Sequence, residues 1–147
     1  MYKHILISTD GSELAQKGVD HGLSLAKALG SKVTLITVTE PFPVPTGGAA
    51  WVVTPADIDG YAADRKRFAE EILAPQKEAA EKLGLAVEAV HVPDARAAAA
   101  ILEAVPQTGC DLIVMGSHGR RGVKRLILGS QAAEVVSSSS VPVLIVR

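Results

Sequence analysis

Cysteine, aromatic residues and long apolar segments are scarce in this sequence of 147 residues, and each scarcity excludes a class of protein. The single cysteine, Cys110, excludes an internal disulfide and favours a reducing compartment. No apolar run approaches the roughly 18 residues that a membrane-spanning helix needs. Residues 1–4 lead directly into an apolar segment typical of a strand, without the features of a signal peptide. We therefore expect a cytoplasmic protein with no membrane partner.

An excess of charge of either sign is also missing. The chain carries 15 Lys and Arg residues against 16 Asp and Glu residues, so the basic surface typical of nucleic-acid binding is not expected. Apolar residues make up 48% of the chain but aromatic residues only 3%, so the core must be built from Val, Ile, Leu and Ala. A chain of this length buries roughly 68–70% of its unfolded surface. We therefore predict one domain that spans residues 1–147.

What the sequence does contain is a regular alternation of short apolar segments with helical patterns. The apolar segments suit strands covered on both faces and lie at residues 3–9, 32–38, 85–92, 111–115 and 141–146. Apolar residues at helical spacing fill residues 13–29, 54–83, 95–105 and 131–136. This alternation predicts an α/β fold with a doubly wound parallel sheet of five strands. Such sheets bind ligands at the carboxyl ends of their strands, where the strand order reverses.

Four local features carry predictions of their own. Ser12 is a good N-cap for the first helix, and Asp94 is expected to cap the third. Pro75 removes a hydrogen bond within the second helix, so a kink or a break is expected there. The four serines at 137–140 are expected to form a polar turn.

Two segments that contain glycine give a sharper signal. Gly116-Ser117-His118-Gly119 follows the fourth apolar segment, and Gly129-Ser130 precedes the last helical one. A strand, a glycine loop and a helix start together bind phosphate, because glycines let backbone N–H groups approach an anion and the helix dipole favours negative charge. The cations in this loop are expected to be solvated and to steer an anionic ligand collectively; they are Arg120, Arg121, Lys124 and Arg125. The side chain of His118 is expected to point to solvent.

Other chemistries lack their signatures in this sequence. The P-loop pattern GxxxxGK[ST], the dinucleotide pattern GxGxxG and the hydrolase pattern GxSxG are all absent. The four histidines and Cys110 do not have the spacing of metal ligands, so no metal site is expected.

With these residues in view, the sequence resembles the universal stress protein family, and the resemblance covers the whole chain. It is carried by residues 5–12, 111–119 and 141–146. The ATP-binding branch of the family is marked by G-x2-G-x9-G-[S/T]. This chain meets that spacing with Gly116, Gly119, Gly129 and Ser130. The resemblance implies a Rossmann-like sheet of strand order 3-2-1-4-5 with helices on both faces.

The resemblance also implies a homodimer, made by antiparallel pairing of the C-terminal strand at residues 142–146. The physical chemistry agrees, because an apolar edge strand presents unpaired backbone groups that seek a partner. Protein partners beyond a second copy of the chain are unknown at this stage.

By the same resemblance, the nucleoside part of ATP lies at the first two strands. Asp10 would accept hydrogen bonds from the ribose hydroxyls. Ser8 and Thr9 would border the adenine pocket, and the main chain at Val38 would read the adenine edge.

The phosphate part would lie at the glycine loop. Met115 and Gly116 would be near the ribose and the α-phosphate. The phosphates would be held largely by backbone N–H groups of Gly119, Gly129, Ser130, Gln131 and Ala132. A divalent cation such as Mg²⁺ can bridge the phosphates, although the sequence offers no dedicated cage of protein ligands for it.

Three functions remain open from the sequence. The favoured one is an ATP-binding, dimeric stress-response or signalling module with slow hydrolysis, because no general base or arginine finger is identifiable. The first alternative is a true ATPase or a phosphoryl or nucleotidyl transferase, in which the loop cations stabilise transition-state charge. The second is a nucleotide-free interaction module that binds proteins through its sheet edge and the loop containing Trp51.

Overall fold

The fold is a single parallel sheet flanked by helices, and the computed structural model describes residues 1–44, 52–118 and 127–147. The elements are β1 (His4–Ser8), α1 (Glu13–Leu29), β2 (Lys32–Val38), α2 (Pro55–Lys82), β3 (Val87–Val92), α3 (Ala97–Thr108), β4 (Leu112–Gly116), α4 (Ser130–Ser138) and β5 (Val143–Val146). All strand pairs are parallel, and the strand order is β3-β2-β1-β4-β5. The predicted fold class and strand order are confirmed.

The helices cover both faces of the sheet, as predicted. Ile5 and Ile7 of β1 pack in a core cluster with residues of α1 and α2, whereas Leu6 packs in the opposite cluster with α3 and α4. Each central strand is therefore buried on both sides, which explains why the strands are continuous apolar runs rather than alternating ones. Within the described residues, no helix is both long and apolar enough to cross a membrane.

The centre of the sheet fixes where the chain can form a site. β1 pairs with β4 through the register Ile5↔Leu112, Leu6↔Ile113 and Ile7↔Val114. The order reverses here, because β2 and β3 extend to one side of β1 and β5 lies beyond β4. The segments that follow β1 and β4 therefore leave the sheet side by side at its carboxyl edge.

The second helix does not break at Pro75. α2 continues from Pro55 to Lys82 with Pro75 in its interior. Both Pro75 and Glu71, whose carbonyl loses its helical partner, lie on the exposed side of the helix. Water can hydrate that carbonyl, so the helix tolerates the missing bond.

The predicted cap of the third helix is wrong. Asp94 does not cap α3; it has a left-handed φ of 58° in the turn before the helix. The N-cap position is Arg96, which makes no side-chain capping bond. Instead, Oε1 of Gln131 accepts a hydrogen bond of 2.9 Å from the N–H of Ala98. The cap thus comes from α4, far along the chain.

The C-terminal elements also differ from the predicted bounds. α4 extends to Ser138, so two of the four serines predicted as a turn are helical. The last strand contains only residues 143–146, and Pro142 precedes it. The carbonyl of Pro142 still accepts a hydrogen bond from the N–H of Ile113. Trp51 and its loop lie outside the described residues.

Candidate functional site

A tight turn follows β1 at the carboxyl edge of the sheet. Oδ1 of Asp10 accepts a hydrogen bond of 2.9 Å from the N–H of Ser12. Oγ of Ser12 in turn accepts from the N–H of Ala15 and caps α1, as predicted. Gly11 permits the turn because its φ is 80°. The carboxylate of Asp10 is therefore held in a fixed, half-buried position at the start of α1.

Thr9 is integrated into the sheet edge rather than left open to it. Its N–H donates to the carbonyl of Ile36, and its carbonyl accepts 2.8 Å from Oγ1 of Thr37. Its Oγ1 accepts from the N–H of Gly11, and only 3% of the residue is exposed. Thr9 can therefore line a pocket only as a residue whose position is fixed by these hydrogen bonds.

The other two residues predicted to line a base pocket lie nearby. Ser8 ends β1 and Val38 ends β2, and these strands are neighbours in the sheet. Both residues are half-buried. The structure thus brings Ser8, Thr9, Asp10 and Val38 to one edge of the sheet.

Gly116, at the end of β4, is required by packing. A Cβ at this position would lie 2.8 Å from the carbonyl oxygen of Leu14 and 3.3 Å from Cα of Ala15. The first turn of α1 therefore lies directly on the backbone of β4. The sequence signal for this contact is the pair Gly18 and Gly22, four residues apart and hence on one face of the helix.

Gly129 joins the start of α4 to the residue that follows β4. Its N–H donates 2.8 Å to the carbonyl of Ser117, and a Cβ on Gly129 would lie 3.2 Å from the same oxygen. The N–H of Ser117 donates 2.9 Å to the carbonyl of Val146. Ser117 is thus held between β5 and the start of α4.

The N-terminus of α4 has backbone donors that the described residues do not cap. Gly129 is the N-cap, it offers no side chain, and the first turn contains no acidic residue. The N–H of Ala133 makes the first intrahelical bond, to the carbonyl of Gly129. The N–H groups of Ser130, Gln131 and Ala132 precede that bond and point out of the helix end, where the dipole favours an anion.

The side chains around these donors are used for folding. The amide oxygen of Gln131 caps α3, and Ala132 is 2% exposed within the core between α3 and α4. Met115 is buried in the same core cluster. Ser130 is exposed. Ala132 can therefore offer a ligand only its backbone, and Gln131, whose amide oxygen is already used, can offer its backbone N–H as predicted.

His118 is half-buried rather than directed freely to solvent. Its Nδ1 lies 3.3 Å from Oγ of Ser117, and its Cδ2 lies 3.5 Å from where a Cβ on Gly129 would be. Gly119 and the four loop cations, Arg120, Arg121, Lys124 and Arg125, lie outside the described residues. Across residues 1–44, 52–118 and 127–147, no three His, Cys, Asp or Glu side chains form a group that could hold a metal ion.

Comparison with known proteins agrees with this architecture. The family model of universal stress proteins matches residues 1–147. The chain is 32% identical over 149 residues to the universal stress protein YxiE of Bacillus subtilis, and the match covers 100% of both chains.

Two solved structures extend the comparison. Protein MJ0577 superposes with a TM-score of 0.79 and 26% identity, over 99% of this chain and 96% of that one. A universal stress protein solved in complex with cAMP superposes with a TM-score of 0.67 and 27% identity, over 99% of this chain and 97% of that one. The match along the whole sequence and the shared fold lead to one conclusion: the chain belongs to the universal stress protein family.

Proposed function

We propose that this protein is a dimeric ATP-binding module that uses the nucleotide as a signal in a stress response and hydrolyses it slowly at most. The observation that carries the proposal is the N-terminus of α4. It starts with a glycine, lacks a side-chain cap within the described residues and follows β4, the neighbour of β1 and its Asp10 turn. A helix end with free donors at a strand-order reversal is a site for a phosphate group.

The donor chemistry of the described residues fits a nucleotide. The exposed hydroxyl of Ser130 and three backbone N–H groups are suited to phosphate oxygens. The fixed carboxylate of Asp10 is an acceptor, which suits the ribose hydroxyls. Ser8, Thr9 and the main chain of Val38 would then border the adenine.

The remaining predicted residues complete the proposed site. Met115 and Gly116 would lie near the ribose and α-phosphate, and Gly119 would add a backbone donor to those of Gly129, Ser130, Gln131 and Ala132. Mg²⁺ would be held by the phosphates of the nucleotide rather than by a cluster of protein ligands. The related protein in complex with cAMP supports an adenine nucleotide as the ligand class. The full G-x2-G-x9-G-S spacing favours ATP within that class.

Slow hydrolysis follows from the side chains near the proposed phosphate end. α4 carries no acid in its first turn, and its Glu134 pairs with Arg96 at 2.7 Å. Asp10 is assigned to the ribose. The described part of the chain therefore offers no evident base to orient an attacking water.

The proposed dimer forms through the last strand. β5 is the edge of the sheet, and its residues Val143–Val146 are all half-buried in the single chain. Pairing with a second copy would satisfy the free backbone groups of this short edge. We propose that residues 1–147 act as one domain in the cytoplasm and that ATP biases the choice of protein partners.

The decisive experiment is isothermal titration of the purified protein with ATP, ADP and cAMP, each with and without Mg²⁺. We expect ATP to bind, hydrolysis to remain below about 1 s⁻¹, the low end of ordinary enzymes, and light scattering to report a dimer. Absence of ATP binding in both conditions would refute the proposal. Preferential binding of cAMP would reassign the ligand within the same site, and faster turnover would support an enzyme.

A further inference from the structure

Helix α1 and strand β4 meet through a contact between two glycine backbones. A Cβ on Gly18 would lie 3.0 Å from the backbone nitrogen of Gly116 and 3.2 Å from the carbonyl carbon of Met115. Conversely, a Cβ on Gly116 would lie 2.8 Å from the carbonyl oxygen of Leu14. On both sides of the contact a Cβ would therefore require backbone atoms to shift, and α1 lies on the peptide between Met115 and Gly116.

This contact joins the two halves of the proposed nucleotide site. On one side, α1 begins at Ser12, whose N–H is bonded to the Asp10 carboxylate. On the other side, Gly116 leads into Ser117, whose carbonyl accepts the N–H of Gly129 at 2.8 Å. Backbone bonds and helix packing therefore connect the Asp10 turn to the start of α4 through Gly18.

We propose that Gly18 is a positioning residue for nucleotide binding: it sets the separation between the Asp10 turn and the N-terminus of α4. The inference rests on the proposed function, because it assigns the ribose to the first element and the phosphates to the second. Gly18 itself does not contact the ligand. It lies in the interior of α1, where glycine is otherwise less favourable than alanine because it loses more conformational freedom on folding.

Alanine at position 18 would separate the two elements. The atoms that its Cβ meets belong to the backbone and cannot rotate away, so α1 or the end of β4 must move by a few tenths of an ångström. Such a displacement shifts the start of α4 relative to Asp10. A ligand that spans both elements, such as ATP, should lose more affinity than adenosine, which does not reach the start of α4.

Gly22 offers a matched control one turn further along the same helix. A Cβ on Gly22 would lie 2.6 Å from Cδ1 and 3.0 Å from Cγ1 of Ile7, and 3.4 Å from Cγ1 of Val114. All three are side-chain atoms, which can move without moving the backbone of β4. Gly22→Ala thus introduces a larger steric conflict into the same interface but does not press on the Gly116 peptide.

The test compares wild type, G18A and G22A by urea unfolding, by calorimetry with ATP and by NMR titration with adenosine. We expect G18A to bind ATP on the order of tenfold more weakly, because the shift lengthens the hydrogen bonds of a ligand that must contact both elements at once. Its adenosine affinity should stay within about twofold of wild type. G22A should keep both affinities, even where it lowers stability as much as G18A does.

Each other outcome overturns a defined claim. ATP binding by G18A equal to that of wild type, or an equal loss in G22A at equal stability, overturns the positioning role alone. Wild-type protein that binds neither ligand overturns the proposed function as well. If G18A does not fold, all three proteins are compared in trimethylamine N-oxide, which strengthens burial. A G18A chain that remains unfolded there shows a purely structural role and overturns the inference.

Discussion

Two helices start at the carboxyl edge of the sheet after neighbouring central strands, yet their N-termini are built differently. At α1, Oγ of Ser12 accepts from the N–H of Ala15 at 3.2 Å, and the first turn contains Glu13. At α4, Gly129 provides no side chain, and the first turn contains no acid. Ser12 thus caps the first helix end from within its own segment, whereas no side chain in the described part of the chain caps the second.

The other two helices show that, among the residues that the structure describes, the start of α4 is the exception. Thr54 and Asp57 form a reciprocal capping box at α2. The amide oxygen of Gln131 caps α3. Since each capped end satisfies donors that would otherwise remain free, the uncapped one is where an external anion gains most. The comparison therefore separates helix ends that serve the fold from the end proposed to serve a ligand.

The largest effect should follow from giving α4 the cap that it lacks. Gly129→Asp places a carboxylate where the proposed phosphate binds, at a φ of −58° that Asp can adopt. We expect ATP affinity to fall on the order of 100-fold through charge repulsion and occupied donors. The free energy of unfolding should change by less than about 1 kcal/mol, because Asp is only a few tenths better than Gly as a cap and that gain is offset by the small shift that its Cβ, 3.2 Å from the Ser117 carbonyl oxygen, requires. Calorimetry and urea unfolding measure the two quantities.

Gly60→Asp is the control for the added charge. Gly60 lies on α2, and nothing approaches within 4 Å of the position of its Cβ. This variant should bind ATP like wild type. Retention of ATP affinity in Gly129→Asp would contradict the assignment of phosphate to the start of α4.

A smaller loss should distinguish backbone from hydroxyl contacts at the same helix end. Ser130→Pro removes the N–H of the first helical residue, whereas Ser130→Ala removes only the hydroxyl. Proline is favoured at this position, and Gly129 before it has the extended ψ of 154° that proline requires. We expect Ser130→Pro to bind ATP about tenfold more weakly than Ser130→Ala by calorimetry. Equal affinities would mean that this N–H does not contact the phosphates.

Removing the cap of α1 should lower stability and leave ATP affinity nearly unchanged, which is the reverse of the result expected for Gly129→Asp. Ser12→Ala deletes the oxygen that satisfies the N–H of Ala15 but keeps the backbone N–H that binds Asp10. We expect the free energy of unfolding to fall by about 1 kcal/mol, the usual cost of losing a cap. ATP affinity should change by less than about twofold. A larger loss of ATP affinity than of stability would show that the two helix ends are not functionally distinct.

The smallest expected effect is a loss of stability at acidic pH, to which two histidines contribute. Burial lowers the pKa of His4 below its ordinary value of 6.5, and burial also lowers the pKa of His91. The unfolded chain therefore takes up protons first as the pH falls, so this stability is present above pH 6.5 and is lost below it. Urea unfolding of the wild type should give a lower free energy of unfolding at pH 5.5 than at pH 7.5. The difference between the two pH values should be smaller in His4→Gln. An identical decrease in that variant would exclude His4 as a source of this pH dependence.

Much of this fold could be predicted from local sequence, because its signals are short-range. Continuous β-branched runs indicated buried parallel strands, and Ser12 and Gly30 marked the ends of α1 as observed. The cap of α3 could not be predicted in this way. Its donor and acceptor, Ala98 and Gln131, are 33 residues apart and meet only when α3 and α4 pack together.

In the candidate site, too, some features could be predicted from local sequence and others depend on packing. The glycine spacing and its strand–helix context predicted a phosphate-binding end, and the uncapped start of α4 agrees with the geometry that this end needs. The packing of Gly116 on Leu14 was not predictable from the motif, because it depends on how closely α1 approaches the sheet. The assignment of individual residues to adenine, ribose and phosphate remains a prediction.

The close approach of Leu14 to Gly116 bears on how family motifs are used to infer ligands. The first glycine of G-x2-G-x9-G-S is demanded here by the chain's own architecture, whereas Gly129 leaves open a helix end that a capping residue would close. A relative that no longer binds nucleotides should therefore still retain glycine at the first position, whereas the third position can accept a small capping residue once the Ser117 carbonyl oxygen, 3.2 Å from a Cβ there, shifts slightly. Glycine at position 116 therefore indicates the fold. The residue at position 129 indicates whether the start of this helix is open to an anionic ligand.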